Sequence, residues 1–172
     1  MVSMHRQKIL VFILFLICVF FLQTVASSAQ PLPQLDLKTT VEKEAKVKKK
    51  GKQVWERIPV EKTAKGDILV YTITYLNKGK TEAVDAQIID PIPVGVVIIP
   101  ESAEGKDAEV TCSTDSGKSW QKPPLTMQIT KPDGTKTVQP VPAEKYTHIR
   151  WIIKKPVLPG QTGRVNFKAS VK

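Results

Sequence analysis

The strongest constraint on the fold of this chain is an alternation of apolar and polar side chains that recurs from residue 35 to the C-terminus. In the clearest segment, Leu69, Tyr71, Ile73 and Tyr75 share one phase. Successive side chains of a β-strand point to opposite faces, so this period predicts strands with one buried face. No window keeps a helical period, and thirteen prolines interrupt the pattern. The sequence therefore predicts an all-β protein.

Turn signals separate the alternating segments about every ten residues, as in sandwich proteins. Eight or nine strands follow, and we expect an immunoglobulin-like antiparallel β-sandwich over residues 35–172. Within it, residues 35–60 predict a lysine-rich hairpin whose first strand is half-buried. Residues 94–99 are apolar on both faces and predict a central strand. The strand phases place the following side chains in the core: Tyr71, Ile73, Trp151 and Phe167.

The N-terminal segment has the pattern of a secretory signal peptide. A basic start is followed by an apolar run of 14 residues at positions 9–22, and Ser27 and Ala29 supply the small residues of a cleavage site. A membrane-spanning helix needs about 20 apolar residues, so the run is short for one. We expect residues 1–29 to be removed and residues 30–34 to form a short linker. The alternative is an anchor that stays uncleaved.

Export sets the location and the redox environment. We expect the mature chain in the periplasm, on the cell surface or outside the cell, and it keeps one cysteine, Cys112. A single thiol forms no internal disulfide, so stability has to come from a packed core. Cys112 shares the phase of Val110, which predicts a buried position. The alternative is a dimer linked through Cys112.

Five short motifs follow one another between residues 60 and 171. They are Gly66-Asp67, a Tyr-Thr-Ile-Thr strand at residues 71–74, Asn77-Lys78-Gly79, Asp90-Pro91-Ile92-Pro93 and Pro159-Gly160. Their order resembles the bacterial conserved-repeat domain, the domain-of-unknown-function family numbered eleven. The resemblance implies an immunoglobulin-like sandwich on an exported or surface protein, and it implies no catalytic residues. The hairpin at residues 35–60 departs from the minimal repeat.

Residues 113–120 fit the Asp-box pattern Ser-x-Asp-x-Gly-x-Ser-Trp. In this pattern, which resembles a β-hairpin turn, Asp115 caps backbone amides, Gly117 adopts a positive φ and Trp120 packs beneath. The motif occurs on sialidase propellers away from their catalytic centres, and this chain is too short for a propeller. We therefore interpret Asp115, Gly117 and Trp120 as a structural turn.

Residues able to carry catalysis or hold a metal are few. The mature chain has one histidine, His148, which the strand phase places on the solvated face. Asp85 and Asp90 flank a strand, and we expect Asp90 to cap amides at the Pro-Ile-Pro break. Asn166 is a candidate for a Lys–Asn isopeptide bond, although its phase points outward. We expect no catalytic residues, no metal and no cofactor, and an uncharacterised enzyme is the remote alternative.

The concentration of lysines near the N-terminus is the clearest functional signal. Residues 30–52 carry seven basic and three acidic residues, a net +4 in 23 positions. Such a hairpin attracts polyanions such as surface polysaccharide or anionic lipid headgroups. The alternative is a solvated edge that blocks aggregation. No aromatic residues interleave the lysines as a base-stacking groove requires, so we expect no nucleic acid partner. The candidate residues are Lys43, Lys46, Lys48, Lys49, Lys50 and Lys52.

These observations together predict an exported, non-catalytic β-sandwich with a structural or binding role at the bacterial cell envelope. The expected partner is an envelope polymer, a lipid headgroup or a surface protein. A polyanion-binding module acting through the hairpin at Lys43 to Lys52 is the alternative function.

Overall fold

A computed structural model describes residues 32–172. The predicted signal peptide, its alternative as an anchor, and the first residues of the predicted linker lie outside the described residues. Residues 32–172 form ten strands and one 3-10 turn at Ala143–Lys145. The strands are β1 (Leu35–Lys49), β2 (Lys52–Pro59), β3 (Ile68–Asn77), β4 (Gln87–Pro91), β5 (Val96–Gly105), β6 (Ala108–Ser113), β7 (Thr126–Thr130), β8 (Lys136–Pro140), β9 (His148–Ile153) and β10 (Thr162–Val171).

The strands form two sheets and one separate ribbon. The larger sheet has the order β2-β1-β3-β10-β5, the smaller sheet has the order β4-β9-β6, and β7 pairs with β8. Every named strand pair is antiparallel. The predicted all-β antiparallel sandwich is confirmed, with one strand more than the alternation indicated.

The core lies between the two sheets and is centred on three aromatic rings. Tyr71 on β3 stacks on Phe167 of β10, with ring centroids 4.7 Å apart and planes 6° from parallel. Trp151 on β9 reaches across from the smaller sheet, and its ring centroid lies 6.0 Å from that of Phe167. Trp151 and Phe167 are completely buried, and Tyr71 and Ile73 are 8% and 2% exposed. The burial predicted for these four residues is confirmed.

A buried amide joins the loops at one end of the sandwich. Asn77 is completely buried. Its Nδ2 donates to the carbonyl oxygens of Thr81 and Val157, each at 2.8 Å, and its Oδ1 accepts from the Gly79 amide at 2.9 Å. Its Oδ1 also lies 3.4 Å from the amide of Gln34, just before β1. The Asn77 side chain therefore ties the start of β1, the loop after β3 and the loop before β10 together.

The close packing around Gly79 leaves room only for glycine. A Cβ there would lie 2.6 Å from the backbone nitrogen of Gln34, closer than atoms can pack. The backbone of Asn77 meets a second motif, because its carbonyl accepts from the Gly160 amide at 2.8 Å. Gly160 has a φ of +76°, which a glycine adopts without strain. The Asn-x-Gly and Pro-Gly motifs of the sequence thus meet in space.

The prediction of a central strand at residues 94–99 was wrong. Strand β5 begins at Val96, pairs only with β10 and forms an edge of the larger sheet. Val94 is fully exposed. Val96 and Ile98 face the core, whereas Val97 and Ile99 are half-buried on the outer side. Partial cover of the outer side is enough to explain apolar residues on both faces.

Strand β8 was not recognised in the sequence. It contains a single apolar side chain between its lysine and its proline, Val138, and that side chain is 67% exposed. Alternation is visible only when several apolar residues share a buried face. Strand β8 is instead defined by its backbone pairing with β7 after the turn at residues 131–135.

The first strand is less buried than its alternation predicted. Leu37 and Val41 lie opposite Tyr75 and Tyr71 of β3, so they face the inner side of the larger sheet. They are nevertheless 50% and 36% exposed. The smaller sheet has three strands against five, and it does not extend far enough to cover this part of β1.

Replacement of Trp151 by alanine tests the core. We expect Trp151→Ala to lower the free energy of unfolding by about 3 to 5 kcal/mol, because the ring is buried between the sheets and leaves a cavity. Trp55→Ala is the matched control: Trp55 is 67% exposed, and its loss should change stability by about 0.5 kcal/mol or less. Urea unfolding curves provide the comparison. Equal losses for the two variants would show that Trp151 does not hold the sheets together.

Candidate polyanion-binding ribbon

The lysine-rich hairpin extends beyond the sandwich as a two-stranded ribbon. Strand β1 pairs with β3 only as far as Glu44, which lies opposite Ile68, whereas its pairing with β2 continues to Lys49 opposite Lys52. Residues 45–56 therefore project past β3, and we call them the β1–β2 ribbon. At about 3.3 Å per residue, the ribbon reaches roughly 20 Å from its base.

The tip of the ribbon is a two-residue turn. Lys50 has a φ of +48° and Gly51 a φ of +81°. Positive φ at both central residues is the type I′ geometry, whose twist matches that of the flanking strands. This turn fixes the register, so that Lys46 lies opposite Trp55 and Lys48 opposite Gln53.

Two of the six candidate lysines are already neutralised by ion pairs. Lys43 lies at the base, where its Nζ is 3.2 Å from Asp67 Oδ2 and 3.2 Å from the carbonyl oxygen of Lys62. The pKa of Asp67 is lowered by hydrogen bonds from the Ala64 amide and from Lys43. Lys49 pairs with Glu56 across the ribbon. These two lysines support the hairpin and contribute less to its outward charge.

The remaining four lysines make no ion pair within residues 32–172. Lys48, Lys50 and Lys52 are exposed. Lys46 is also exposed, and its Nζ lies 5.3 Å from the centroid of the Trp55 ring. A cation at this distance over an indole face is attracted to it. The cationic charge is therefore concentrated toward the tip.

The strand register adds two residues that sequence reasoning missed. Cross-strand partners share a face of a ribbon, so Trp55 lies with Lys46, and Arg57 lies on the same face opposite Glu44. Glu44 pairs with Lys168 at 2.7 Å, and Arg57 makes no ion pair in the described part of the chain. We call Lys46, Lys48, Trp55 and Arg57 the cationic face. The two-residue turn at Lys50 and Gly51 was the signal that would have revealed it.

The Asp-box segment forms a closed network of hydrogen bonds. Asp115 Oδ1 accepts from the Ser119 amide at 2.9 Å, and Oδ2 accepts from the Ser119 hydroxyl at 2.7 Å. Ser113 Oγ donates to Asp115 Oδ1 at 2.7 Å and accepts from the Gly117 amide at 2.9 Å. Gly117 has a φ of +83°, and a Cβ there would lie 3.3 Å from the Trp120 ring. The three predicted turn residues thus lie together in one tight loop.

The same loop is fastened to the smaller sheet by an arginine. Arg150 of β9 lies over Trp120, with its guanidinium carbon 4.4 Å from the ring centroid. Its Nε donates to Thr111 Oγ1 at 3.0 Å. Trp120 therefore packs beneath the loop and also against a cation on the outer side of the sheet. The role of Arg150 was not apparent from the sequence, because the two residues are 30 positions apart.

The other candidate residues are separated in the structure. Cys112 is completely buried, and burial raises the pKa of its thiol to about 12. A disulfide to a second chain would require β6 to open. The Asp90 side chain is half-buried and makes no hydrogen bond within the described residues, so it does not cap amides as expected. Burial raises the pKa of its carboxyl, and nearby His148 opposes that shift. Asp85 is exposed at the opposite end of β4.

Asn166 lies on the outer side of the larger sheet, as its phase indicated, opposite Thr72 and Glu104. Lys168, two residues along the same strand, pairs with Glu44. No hydrogen bond joins Asn166 to a lysine in residues 32–172, and its buried Oδ1 has no partner there. The arrangement gives no support to an isopeptide bond.

Comparisons with known proteins gave no match among protein-family models, curated proteins or solved structures. The resemblance to the conserved-repeat domain stays a prediction carried by the motifs. Within residues 32–172, no group of three or more His, Cys, Asp or Glu side chains is placed to hold a metal ion. In the same region, no helix has the length and apolar character needed to cross a membrane.

Acid titration of stability tests the Asp115 network. Hydrogen bonds from Ser119, followed by that from Ser113, hold the pKa of the Asp115 carboxyl well below its usual range. A depressed folded pKa contributes stability above the unfolded pKa of about 3.9, and this contribution is lost as the pH falls toward the folded pKa. Asp115→Asn should be less stable than wild type at pH 7, and the difference should narrow in acid. Parallel curves of unfolding free energy against pH would contradict the network.

Proposed function

We propose that this chain is an exported, non-catalytic β-sandwich protein of the bacterial cell envelope that binds an anionic envelope component through its β1–β2 ribbon. The projection of the ribbon beyond β3 is the observation that carries the proposal. The basic N-terminal segment and the apolar run at residues 9–22 support export.

The charge on the ribbon supports an anionic partner. Lys48, Lys50 and Lys52 at the tip are exposed and have no ion pair in the described residues. Lysines that neutralise a polyanion release the counterions condensed on it, which favours binding at low salt. An isolated ribbon also exposes its cations on both faces, so a polymer has few steric limits on its approach.

The exposed indole ring of Trp55 favours a partner whose units are flat or amphipathic. The ring is 67% exposed and lies beside the Nζ of Lys46 on the cationic face. An indole beside a lysine offers one apolar surface and one charge, a combination that suits a sugar ring bearing an acidic group or the headgroup level of a lipid layer. One ring is too few for a groove that stacks successive bases.

The residues most suited to catalysis are engaged in the fold, which supports a non-catalytic role. The Cys112 thiol is buried and protonated, whereas a cysteine nucleophile needs an exposed thiolate. The Asp115 carboxylate is held by Ser113 and Ser119. Neither group is free to act on a substrate in this structure.

A purely structural sandwich is the competing function. Strand β2 is an edge of the larger sheet, and lysines on an edge strand discourage pairing with other chains. In that case the ribbon lysines act only as a guard, and the protein has no particular affinity for polyanions. The two functions differ in salt dependence, which is measurable.

The test compares heparin binding by the exported protein and by the triple variant Lys48→Ser, Lys50→Ser, Lys52→Ser over a series of salt concentrations. Heparin is a soluble sulfated polyanion that serves as the probe. Each anionic group neutralised contributes roughly 0.9 to the slope of log affinity against log salt on double-stranded DNA. The triple variant should therefore lose roughly 2 to 3 from the slope, and its stability should change by about 0.5 kcal/mol or less.

A matched control removes the same charge elsewhere. Lys118, Lys131 and Lys136 are exposed and make no ion pair within residues 32–172. Replacing all three by serine should leave most of the slope of log heparin affinity against log salt unchanged. If the two triple variants lose equal slope, the binding follows net charge and the ribbon is only a guard.

A further inference from the structure

A second cationic surface lies at the end of the sandwich where Asn77 joins the loops. It is a cleft of about 410 Å³ between the end of β3, the β5–β6 turn, the segment after β9 and the start of β10. Its volume falls within the range of small-molecule sites, about 300 to 1,000 Å³. We call it the end cleft. Its polar lining residues are Tyr75, Lys106, Asp107, Lys155, Gln161, Thr162 and Arg164.

The end cleft carries an excess of two positive charges. Lys106, Lys155 and Arg164 are cationic, and Asp107 is the one carboxylate in the lining. Asp107 Oδ2 lies 3.0 Å from Lys155 Nζ, so these two groups neutralise each other. Lys106 and Arg164 make no ion pair within residues 32–172. An anion entering the cleft therefore meets two unpaired cations, one from the β5–β6 turn and one from β10.

The floor of the end cleft contains the phenol of Tyr75. Tyr75 is only 6% exposed, and its hydroxyl makes no hydrogen bond within the described residues. The ring lies directly on Gly163, where a Cβ would be 2.1 Å from the ring and from the hydroxyl oxygen. Glycine at position 163 is thus required to hold the ring in place. The hydroxyl of a lining tyrosine that has no protein partner can donate to a ligand.

The position of the cations is fixed by the fold. The backbone amide of Asn77 donates to the backbone carbonyl of Gln161 at 3.1 Å. Gln161 Oε1 accepts from the Leu158 amide at 2.9 Å, which leaves the side-chain NH₂ of Gln161 available to donate. Arg164 lies opposite Thr74 in the larger sheet. On the other wall, the Asp107 carbonyl accepts from the Lys154 amide at 2.8 Å. The cleft is therefore built from residues held by backbone hydrogen bonds.

We propose that the end cleft binds the phosphate group of a small phosphomonoester such as a phosphorylated sugar. A phosphomonoester carries close to two negative charges at neutral pH, matching the two unpaired cations. The planar guanidinium of Arg164 can donate two parallel hydrogen bonds to phosphate oxygens. Ile153, Pro156 and Val157 also line the cleft, and the exposed ring of Pro156 offers apolar surface to the carrier of the phosphate. This site is separate from the β1–β2 ribbon and does not depend on the function proposed for it.

The test follows backbone amide shifts of the exported protein by two-dimensional NMR at constant ionic strength. The probes are glucose 6-phosphate, inorganic phosphate and glucose. Glucose 6-phosphate should give saturable shifts at Gly163, Arg164 and Lys106, and glucose should give none. Arg164→Gln should weaken binding about tenfold or more, because a charge-assisted hydrogen bond to a buried ligand is lost. Lys106→Gln should weaken it as well.

The controls separate this site from the ribbon and from unfolding. The ribbon triple variant should bind glucose 6-phosphate with unchanged affinity, and Arg164→Lys should retain part of it. The spectra show directly whether each variant is folded.

Equal affinity for inorganic phosphate would indicate that the cleft recognises phosphate alone, and tighter binding of the sugar phosphate would indicate that the apolar surface contacts the sugar. Both results support the site. Absence of saturable shifts with both phosphates, or full affinity in Arg164→Gln and Lys106→Gln, would overturn it.

Discussion

The buried side chain of Asn77 is the constraint on which one end of the sandwich, and with it the end cleft, depends. Its amide satisfies the carbonyls of Thr81 and Val157, and its oxygen accepts from Gly79. An apolar residue at position 77 would remove these hydrogen bonds, and each buried polar group left without a partner costs about 1 to 3 kcal/mol. Because Asn77 joins the residues before β1 to those before β10, it holds together the end of the sandwich where the end cleft is assembled.

The residues that stabilise the sandwich differ from those that form its candidate binding surface. Tyr71, Phe167 and Trp151 hold the two sheets together, and the larger sheet extends past the smaller one on the β1–β2 side. The ribbon leaves the sheet where β1 passes the start of β3, so its lysines contribute little to the core. Surface substitutions there are therefore expected to change binding with little effect on folding.

The alternation of Leu69, Tyr71 and Ile73 was enough to predict the fold class, because one buried face imposes a period of two on any strand. It did not distinguish an edge strand from a central one, as β5 shows, since partial cover of the outer face also selects apolar residues. Strand β8 has no buried face, so its sequence shows no alternation of apolar and polar side chains. Its existence follows only from backbone pairing with β7.

The candidate surfaces were predictable to different degrees. Six lysines near a turn are visible in the sequence, but the neutralisation of Lys43 by Asp67 depends on the close approach of residues 24 positions apart. The contact of Lys46 with Trp55 depends on the register set by the turn at Lys50 and Gly51. The end cleft was not predictable, because Lys106, Lys155 and Arg164 come from three segments whose proximity is a property of the tertiary fold.

The claim that the ribbon is the binding surface is tested most directly by amide hydrogen exchange with and without heparin. Amides of residues 45–56 are expected to exchange more slowly when heparin is present. The β7–β8 ribbon (Thr126–Pro140) is an internal control, because it is also two-stranded and also carries exposed lysines, and its exchange should stay unchanged. Equal protection of the two ribbons, or protection confined to other parts of the chain, would show that the β1–β2 ribbon is not the binding surface.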